Sequence, residues 1–190
     1  MVRMSFTKLT ETDRQILHDI ALQSIRHGLS FHTPLPVTPD DYNELLRMDG
    51  ASFVTLNLDG NLRGCIGALD AYQPLIKDVS DHAYAAAFQD PRFTPVTHAE
   101  VEKLLIHISV LTPATKISFS NEEDLIKKIK PGTDGLILQD NYHKGTFLPS
   151  VWEQLPEPRD FLQQLKLKAG LQKNDWNENI QVSRYQTISF

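Results

Sequence analysis

Phe53-Val54-Thr55-Leu56-Asn57-Leu58-Asp59-Gly60-Asn61-Leu62-Arg63-Gly64-Cys65-Ile66-Gly67 is the stretch whose reading decides the fold. Val54, Leu56 and Leu58 alternate with Phe53, Thr55 and Asn57, the period of a strand with one buried face. Asp59-Gly60-Asn61 is a turn, and Leu62 to Gly67 returns as the second strand of a hairpin. Register decides the turn length. A two-residue Asp59-Gly60 turn sets Arg63 across from Leu56 and mixes the polar and apolar faces. A three-residue loop pairs Leu58 with Leu62, Asn57 with Arg63, Thr55 with Cys65 and Val54 with Ile66, which keeps each face uniform. The three-residue loop is therefore the expectation. It puts Arg63 and Cys65 on the more polar face with Thr55 and Asn57, about 6.5–7 Å apart along the strand.

Outward from this hairpin, helices and strands alternate. Upstream, Thr10 or Thr12 caps a helix from Glu11 to Leu29, ended at His27-Gly28, and Ile16, Ile20, Leu22 and Ile25 form its apolar stripe. Pro34, Pro36 and Pro39 make an extended strap, and Asp40 restarts a short helix with Leu45 and Leu46 inward. Downstream, Pro74 opens a helix to Gln89, stopped by Asp90-Pro91, whose small alanines permit close packing on a sheet. Leu104 to Leu111 is a strand, Asn121 caps a helix through Ile129, and Gly135–Gln139 with His143–Leu148 form a second hairpin around Asp140-Asn141. A short helix at 150–154, a helix from Pro158 to Ala169 capped by Gly170, and a strand from Ile180 to Phe190 complete the chain. The class is α+β, with no linker or low-complexity run.

A shift of 81 residues superposes Asp59–Ile66 on Asp140–Phe147, with an aspartate and a glycine matched and Arg63 over Lys144. A helix follows each hairpin. Turn residues recur in unrelated hairpins, so identity alone proves nothing, but helix order and echo together suggest two related halves. The expected arrangement is one domain over 1–190, with interleaved subdomains near 50–115 and 116–190 and the N-terminal helix packed on the second. Lys144 and Thr146 would then line the same sheet as Arg63 and Cys65.

Composition excludes much. In 190 residues with 41% hydrophobic content a packed core is affordable without staples, and the single cysteine rules out an intramolecular disulfide and any multi-cysteine metal site. Met1 to Arg14 lacks the apolar core of a signal peptide, so the expected location is the cytoplasm. A formal charge of −5 disfavours a nucleic-acid backbone as main partner. No phosphate loop, nucleophile elbow or dinucleotide fingerprint is present, and no cofactor is implied. The seven histidines form no zinc-type i, i+4 pair. The acids at 122–124 open a helix and Lys127, Lys128 and Lys130 close it, as its macrodipole favours.

Cys65 is the singular group. Glycines on both sides mean either a backbone exposed to a ligand beside the thiol, or sheet curvature around a small core residue. Arg63 on the same face would favour the nucleophilic thiolate. His107 approaches Cys65 if their strands are neighbours. Asp90-Pro91-Arg92 is an extended turn in which Arg92 binds an anion bidentately, pairs with Asp90 or caps a carbonyl.

Leu62-Arg63-Gly64-Cys65-Ile66-Gly67 resembles the signature hexapeptide of the AMMECR1 family. The resemblance runs on through Ala85–Phe93 with its Asp-Pro-Arg-Phe, Ile106–Leu111, Phe147-Leu148-Pro149, Val151-Trp152, Phe161-Leu162 and Lys168–Leu171. It implies a compact fold with two similar halves around a mixed, barrel-like sheet, and a cleft lined by the hexapeptide. That lining role carries over to Arg63, Gly64, Cys65 and Gly67, then to Asp90, Arg92 and Lys168. Many relatives place a small hydroxyl residue where this chain has Ala68, so that position is assigned no polar contact. Bacterial and archaeal members resemble parts of a system that also holds a Memo-type and a radical-SAM protein, so both types are implied partners.

Three function classes remain open. One is an enzyme or enzyme component with Cys65, assisted by Arg63, as nucleophile or proton carrier on a small anionic substrate. Another is a non-catalytic ligand-binding or accessory subunit working with those partners. The third, RNA binding, is disfavoured by charge. Candidate ligand-binding residues are Gly64, Gly67, Asp90, Arg92, Lys144, Thr146 and Lys168.

Overall fold

The computed structural model describes residues 6–190; the leader reading of Met1 to Arg14 falls in part on residues outside this range. Along the chain lie α1 (Glu11–Phe31), α2 (Glu44–Arg47), β1 (Asp49–Gly50), β2 (Ser52–Leu58), β3 (Asn61–Gly67), β4 (Gln73–Pro74) and α3 (Leu75–Phe88). Then come α4 (His98–Val101), β5 (Leu105–Leu111), β6 (Thr115–Lys116), α5 (Glu122–Lys128), β7 (Gly135–Gln139), β8 (Lys144–Phe147), α6 (Pro158–Ala169), β9 (Gln181–Tyr185) and β10 (Thr187–Ser189). Residues 149–153, expected as a short helix, form a 3₁₀ turn. The α+β class holds, but the barrel does not: the main sheets are two separate four-stranded ones, ordered β10-β5-β2-β3 and β6-β9-β7-β8. The chain divides into one unit of residues 1–111 with 188–190 and a second of 112–187.

In the first unit α1 and α3 cover one face of the β10-β5-β2-β3 sheet. Val54, Leu56, Ile106, Ile108 and Val110 meet Ile76, Val79, Ala83 and Ala86 of α3 and Leu17, Ile20 and Ile25 of α1. The N-terminal helix thus belongs with the first half, not the second, because its stripe packs on α3. Thr10 caps it in a reciprocal box with Asp13. It runs past Gly28 to a left-handed cap at His32. Gly28 does not end the helix; it lets α3 approach, since a Cβ there would lie 2.5 Å from the Phe88 ring.

The hairpin turn is two residues, not three. Leu58 pairs with Asn61, and Asp59 and Gly60 both take positive φ, the primed geometry that matches strand twist. Register then slips between Leu56 and Asn57, so that Thr55 faces Cys65 and Val54 faces Ile66 as expected. The extra residue is Arg63, opposite no partner of its own. A bulge reconciles the favoured tight turn with uniform faces, which loop length alone was asked to do.

In the second unit α6 covers β7 and β8 through Phe161, Leu162 and Leu165, with Trp152 stacked on Phe161 at 3.7 Å. Its hairpin closes through a four-residue loop, Asp140 to His143, rather than at Asp140-Asn141 alone, because Gln139 pairs with Lys144. The expected strand over 180–190 is two strands, β9 in this sheet and β10 in the first.

The echo has a topological counterpart. Each unit runs hairpin, helix, then a strand that pairs antiparallel onto the first strand of the hairpin: β5 onto β2 and β9 onto β7. After β5 the chain supplies β6 to the edge beside β9, and after β9 it supplies β10 to the edge beside β5.

Candidate functional site

β3 is an edge strand, so alternate residues aim their backbone groups away from the sheet and need partners elsewhere. At Cys65 those partners come from the turn that ends α3. Asp90 Oδ2 accepts the Cys65 N–H at 2.9 Å, and Arg92 Nη2 donates to the Cys65 carbonyl at 3.3 Å. The two side chains are themselves joined as a fork, Nε to Oδ1 at 2.9 Å and Nη2 to Oδ2 at 2.6 Å, while Oδ1 also accepts the Arg92 N–H. Pro91 forces the bend that makes this possible. The hexapeptide and the Asp-Pro-Arg-Phe segment are therefore one construction around a single backbone unit.

Asp90 is buried, yet ionised: the Arg92 hydrogen bonds, chiefly, hold its carboxyl well below the usual range against the cost of burial. Arg92 has its own pKa raised by the same bonds, with a smaller contribution from Cys65. Its side chain stays 54% exposed, so it is both clamp and open cation. The Cys65 thiol is half-buried on the face turned away from the helices and lies 3.2 Å from Thr55 Oγ1. Thr55 pairs in turn with His107, so Cys65, Thr55 and His107 form one row across three strands. Thr55 separates His107 from Cys65, whose strands are not neighbours.

Arg63 does not assist the thiol. From the bulge its guanidinium goes to Glu100, Nε to Oε1 at 2.8 Å and Nη2 to Oε2 at 3.2 Å, and to the carbonyls of Thr94 and Pro95. The side chain is 11% exposed. Glu100, held down to about 2 chiefly by Arg63, also closes the capping box of α4 with Thr97. The glycines are likewise explained by packing. A Cβ on Gly64 would sit 2.1 Å from the Ala86 carbonyl oxygen of α3, and one on Gly67 would strike the Phe53 ring at 2.4 Å. Helix and ring occupy the space that a ligand was expected to use.

Lys144 and Thr146 lie on β8, in the second sheet rather than the sheet of Arg63 and Cys65. Thr146 donates to the Leu136 carbonyl at 2.8 Å and meets the buried Tyr185 hydroxyl at 2.9 Å. Burial pushes that phenol up to about 12. Lys168, on α6, stands over the Phe147 ring at 5.0 Å, and partial loss of water lowers its pKa. The site residues thus fall into a Cys65, Asp90 and Arg92 group, an Arg63 clamp, and a set in the second unit, Lys144 and Thr146 on β8 and Lys168 on α6.

Sequence reading missed three residues, Glu100 and the pair Asp78 and His82. Glu100 was legible as the fourth residue of Thr97-His98-Ala99-Glu100, the capping-box spacing. Asp78 and His82 are one turn apart on α3. His82 Nδ1 lies 3.1 Å from Asp78 Oδ2, the same oxygen accepts Ser52 Oγ at 2.6 Å, and Asp78 Oδ1 is buried without a partner among the described residues. Among the described residues no group of three or more His, Cys, Asp or Glu is placed to hold a metal, and no helix is long and apolar enough to cross a membrane.

Comparison with known proteins agrees with this architecture. The sequence model of the AMMECR1 family matches residues 18–190. Protein MJ0810 of Methanocaldococcus jannaschii is 35% identical over 155 residues, covering 80% of this chain and 77% of its own. A Methanothermobacter thermautotrophicus protein is 33% identical over 189 residues, 98% of each chain. The crystal structure of PH0010 from Pyrococcus horikoshii superposes with a TM-score of 0.81 at 33% identity, covering 91% of this chain and 88% of that one.

Proposed function

The chain belongs to the AMMECR1 family, and on that premise and the geometry around Cys65 we propose that it is a cytoplasmic enzyme or enzyme component acting on a small anionic substrate at the Cys65 thiol. One observation supports this most: the thiol is half-buried and held at 3.2 Å by Thr55, on a backbone clamped by the Asp90–Arg92 fork. Fixed geometry is what a nucleophile or proton carrier requires. Arg92 takes the role first given to Arg63. Its half-exposed guanidinium, beside Cys65, attracts an anionic group on the substrate. Thr55 supplies a hydroxyl as hydrogen-bond partner to the sulfur.

The test is the rate at which iodoacetamide alkylates this single cysteine at neutral pH, followed by intact mass. The expected rate exceeds that of a free thiol, falls several-fold in Arg92→Ala, and is unchanged in a folded Arg63→Lys variant. A thiol that does not alkylate in the native protein overturns the proposal.

The commitment of Arg63 to Glu100 favours a second reading: a non-catalytic ligand-binding or accessory subunit of a system with radical-SAM and Memo-type partners. There the hexapeptide is a rigid element of a binding face. Cys65→Ser would then leave ligand-induced thermal stabilisation intact while Arg92→Ala reduces it.

A further inference from the structure

In the second unit, a groove of about 430 Å³ opens between residues 116–120, which run on from the end of β6, and residues 176–182, which run into the start of β9. Its floor is apolar, made by Ile117, Ile180 and Val182, and is closed by the Ile117 N–H donating to the Val182 carbonyl at 2.8 Å. One wall is aromatic: Phe119 and Trp176 pack with centroids 5.6 Å apart at 58°.

The Trp176 wall is built, not incidental. Lys166 on α6 is fully buried, donates to Glu122 at 2.7 Å and to the Asp175 carbonyl at 3.2 Å, and places its ammonium 5.8 Å from the Trp176 ring. Burying the ammonium of a partly exposed ion pair is costly, and here that ammonium pins the residue before Trp176 and backs the indole. Asp175 further ties its loop by accepting the Gln172 N–H at 2.7 Å. A half-buried indole held this way is a stacking platform that loses little entropy when a ring settles on it.

The polar rim narrows the ligand. Asn177 engages its side-chain oxygen with the Asn179 N–H, and Gln181 engages its own with Lys116 Nζ at 3.1 Å, so among the described residues the bonds made are to the oxygens and the amino ends face the ligand space. Glu178 adds an acceptor to the lining. Lys116 donates to Gln181, the buried Lys166 to Glu122, and Glu178 stands on the same rim, so the lining holds one lysine beside one acid rather than a cation cluster of the kind that clamps phosphate. Stacking on one face with donors and an acceptor at the edge is the way proteins read an unpaired base. We infer that this groove binds the heterocyclic base of a free nucleoside, at a site separate from Cys65.

The chain has two tryptophans, and Trp152 is buried against Phe161, so a ligand on the groove alters the emission of Trp176 alone. The experiment titrates the intact protein with adenosine, guanosine, cytidine and uridine in turn, excited at the red edge of indole absorption. At least one nucleoside is expected to quench saturably, with a Kd on the order of 0.1 mM for a ligand of about 18 non-hydrogen atoms. Read by calorimetry, Trp176→Leu weakens it about tenfold or more, the scale of a lost base stack. Asn177→Ala and Gln181→Ala, both at exposed positions, each weaken it about threefold, the scale of one lost hydrogen bond. The inference is overturned if no nucleoside quenches up to about 5 mM, if neither carboxamide variant changes the affinity, or if methyl glucoside binds in place of every nucleoside.

Discussion

In the first unit α3 presses Ala86 onto Gly64 of β3; in the second, α6 presses Ala169 onto Gly145 of β8. Each helix follows its own hairpin and leads to a strand that pairs back onto the hairpin's first strand. The next residue along each edge strand, Cys65 or Thr146, therefore points to the face away from the helix. There the likeness ends. Thr146 has its hydroxyl taken up by the Leu136 carbonyl and the Tyr185 hydroxyl. Among the described residues the Cys65 sulfur has Thr55 as its hydrogen-bond partner, and the other bonds at this position go to the backbone, clamped by Asp90 and Arg92. One plan thus yields a sealed position and an open one: Thr146 is closed by groups of β7 and β9, whereas Cys65 is braced through its backbone by the turn that ends α3.

The largest expected effect comes from the shared feature. Gly64→Ala puts a methyl 2.1 Å from a helix carbonyl, where backbone must move, whereas the tightest contacts at Gly145 are 2.9 Å. Gly64→Ala is expected to cost at least about 3 kcal/mol and Gly145→Ala about 1–2 kcal/mol, measured by urea denaturation. Equal costs would mean that the two helix–strand contacts are equivalent after all.

Second is the Arg63–Glu100 clamp of the first hairpin. Glu100 has an ordinary pKa of 4.5 and is held near 2, chiefly by Arg63. A carboxyl depressed in the folded state adds stability that is present above its unfolded pKa and is lost as pH falls through the folded one. Acidification from about pH 4.5 to 2 is therefore expected to remove on the order of 3 kcal/mol through this group. Glu100→Gln is expected to start lower at neutral pH and to flatten that part of the profile. A parallel profile in the variant would show the acid loss to come from elsewhere.

How much of this was legible can be argued from single residues. The main strands, helices and inward faces followed from period and caps: Val54 and Leu56 inward, Thr10 as one of two candidate caps, and Gly170 at a helix end. The bulge at Arg63 was not legible, because turn length and face uniformity pointed opposite ways and only an inserted residue satisfies both. The split of residues 180–190 between two sheets was hidden for a similar reason, since both pieces read as strand. Within the candidate site, Asp90 with Arg92 was legible as a pair. Its grip on Cys65 was not, because it depends on which strand lies at the edge. The glycines misled, since space kept clear for a helix looks in sequence like space kept clear for a ligand.

The third test compares the aspartates that brace each edge. Asp90 faces donors with both oxygens, so Asp90→Asn turns an amino group toward a donor and is expected to cost about 1–3 kcal/mol. Asp140 receives the backbone N–H groups of Tyr142 and His143 through one oxygen, which hold it down to about 2 together with His143. An asparagine there keeps that acceptor, so Asp140→Asn is expected to shift the urea midpoint less than Asp90→Asn does. The reverse order would mean that the four-residue loop, and not the fork, braces its sheet more firmly.

The smallest effect on stability, and the sharpest on chemistry, comes from exchanging the two positions. Cys65→Thr with Thr146→Cys leaves one thiol per chain and moves it to the sealed position. Both sites are half-buried and both substitutions are close in volume, so the cost is expected to be that of exchanging the Thr146 hydroxyl's bonds for a thiol's weaker ones, about 1–1.5 kcal/mol. At 146 the sulfur would lie against the Tyr185 hydroxyl, with no guanidinium fork on its own backbone unit. Thiol reactivity follows positive surroundings and access, so alkylation is expected to slow about tenfold relative to the native cysteine. Equal rates would show that exposure alone sets the reactivity and that Arg92 contributes only to holding the strand. A slow thiol at 146, in a protein that remains folded, instead locates the chemical difference between the halves in the turn that follows α3.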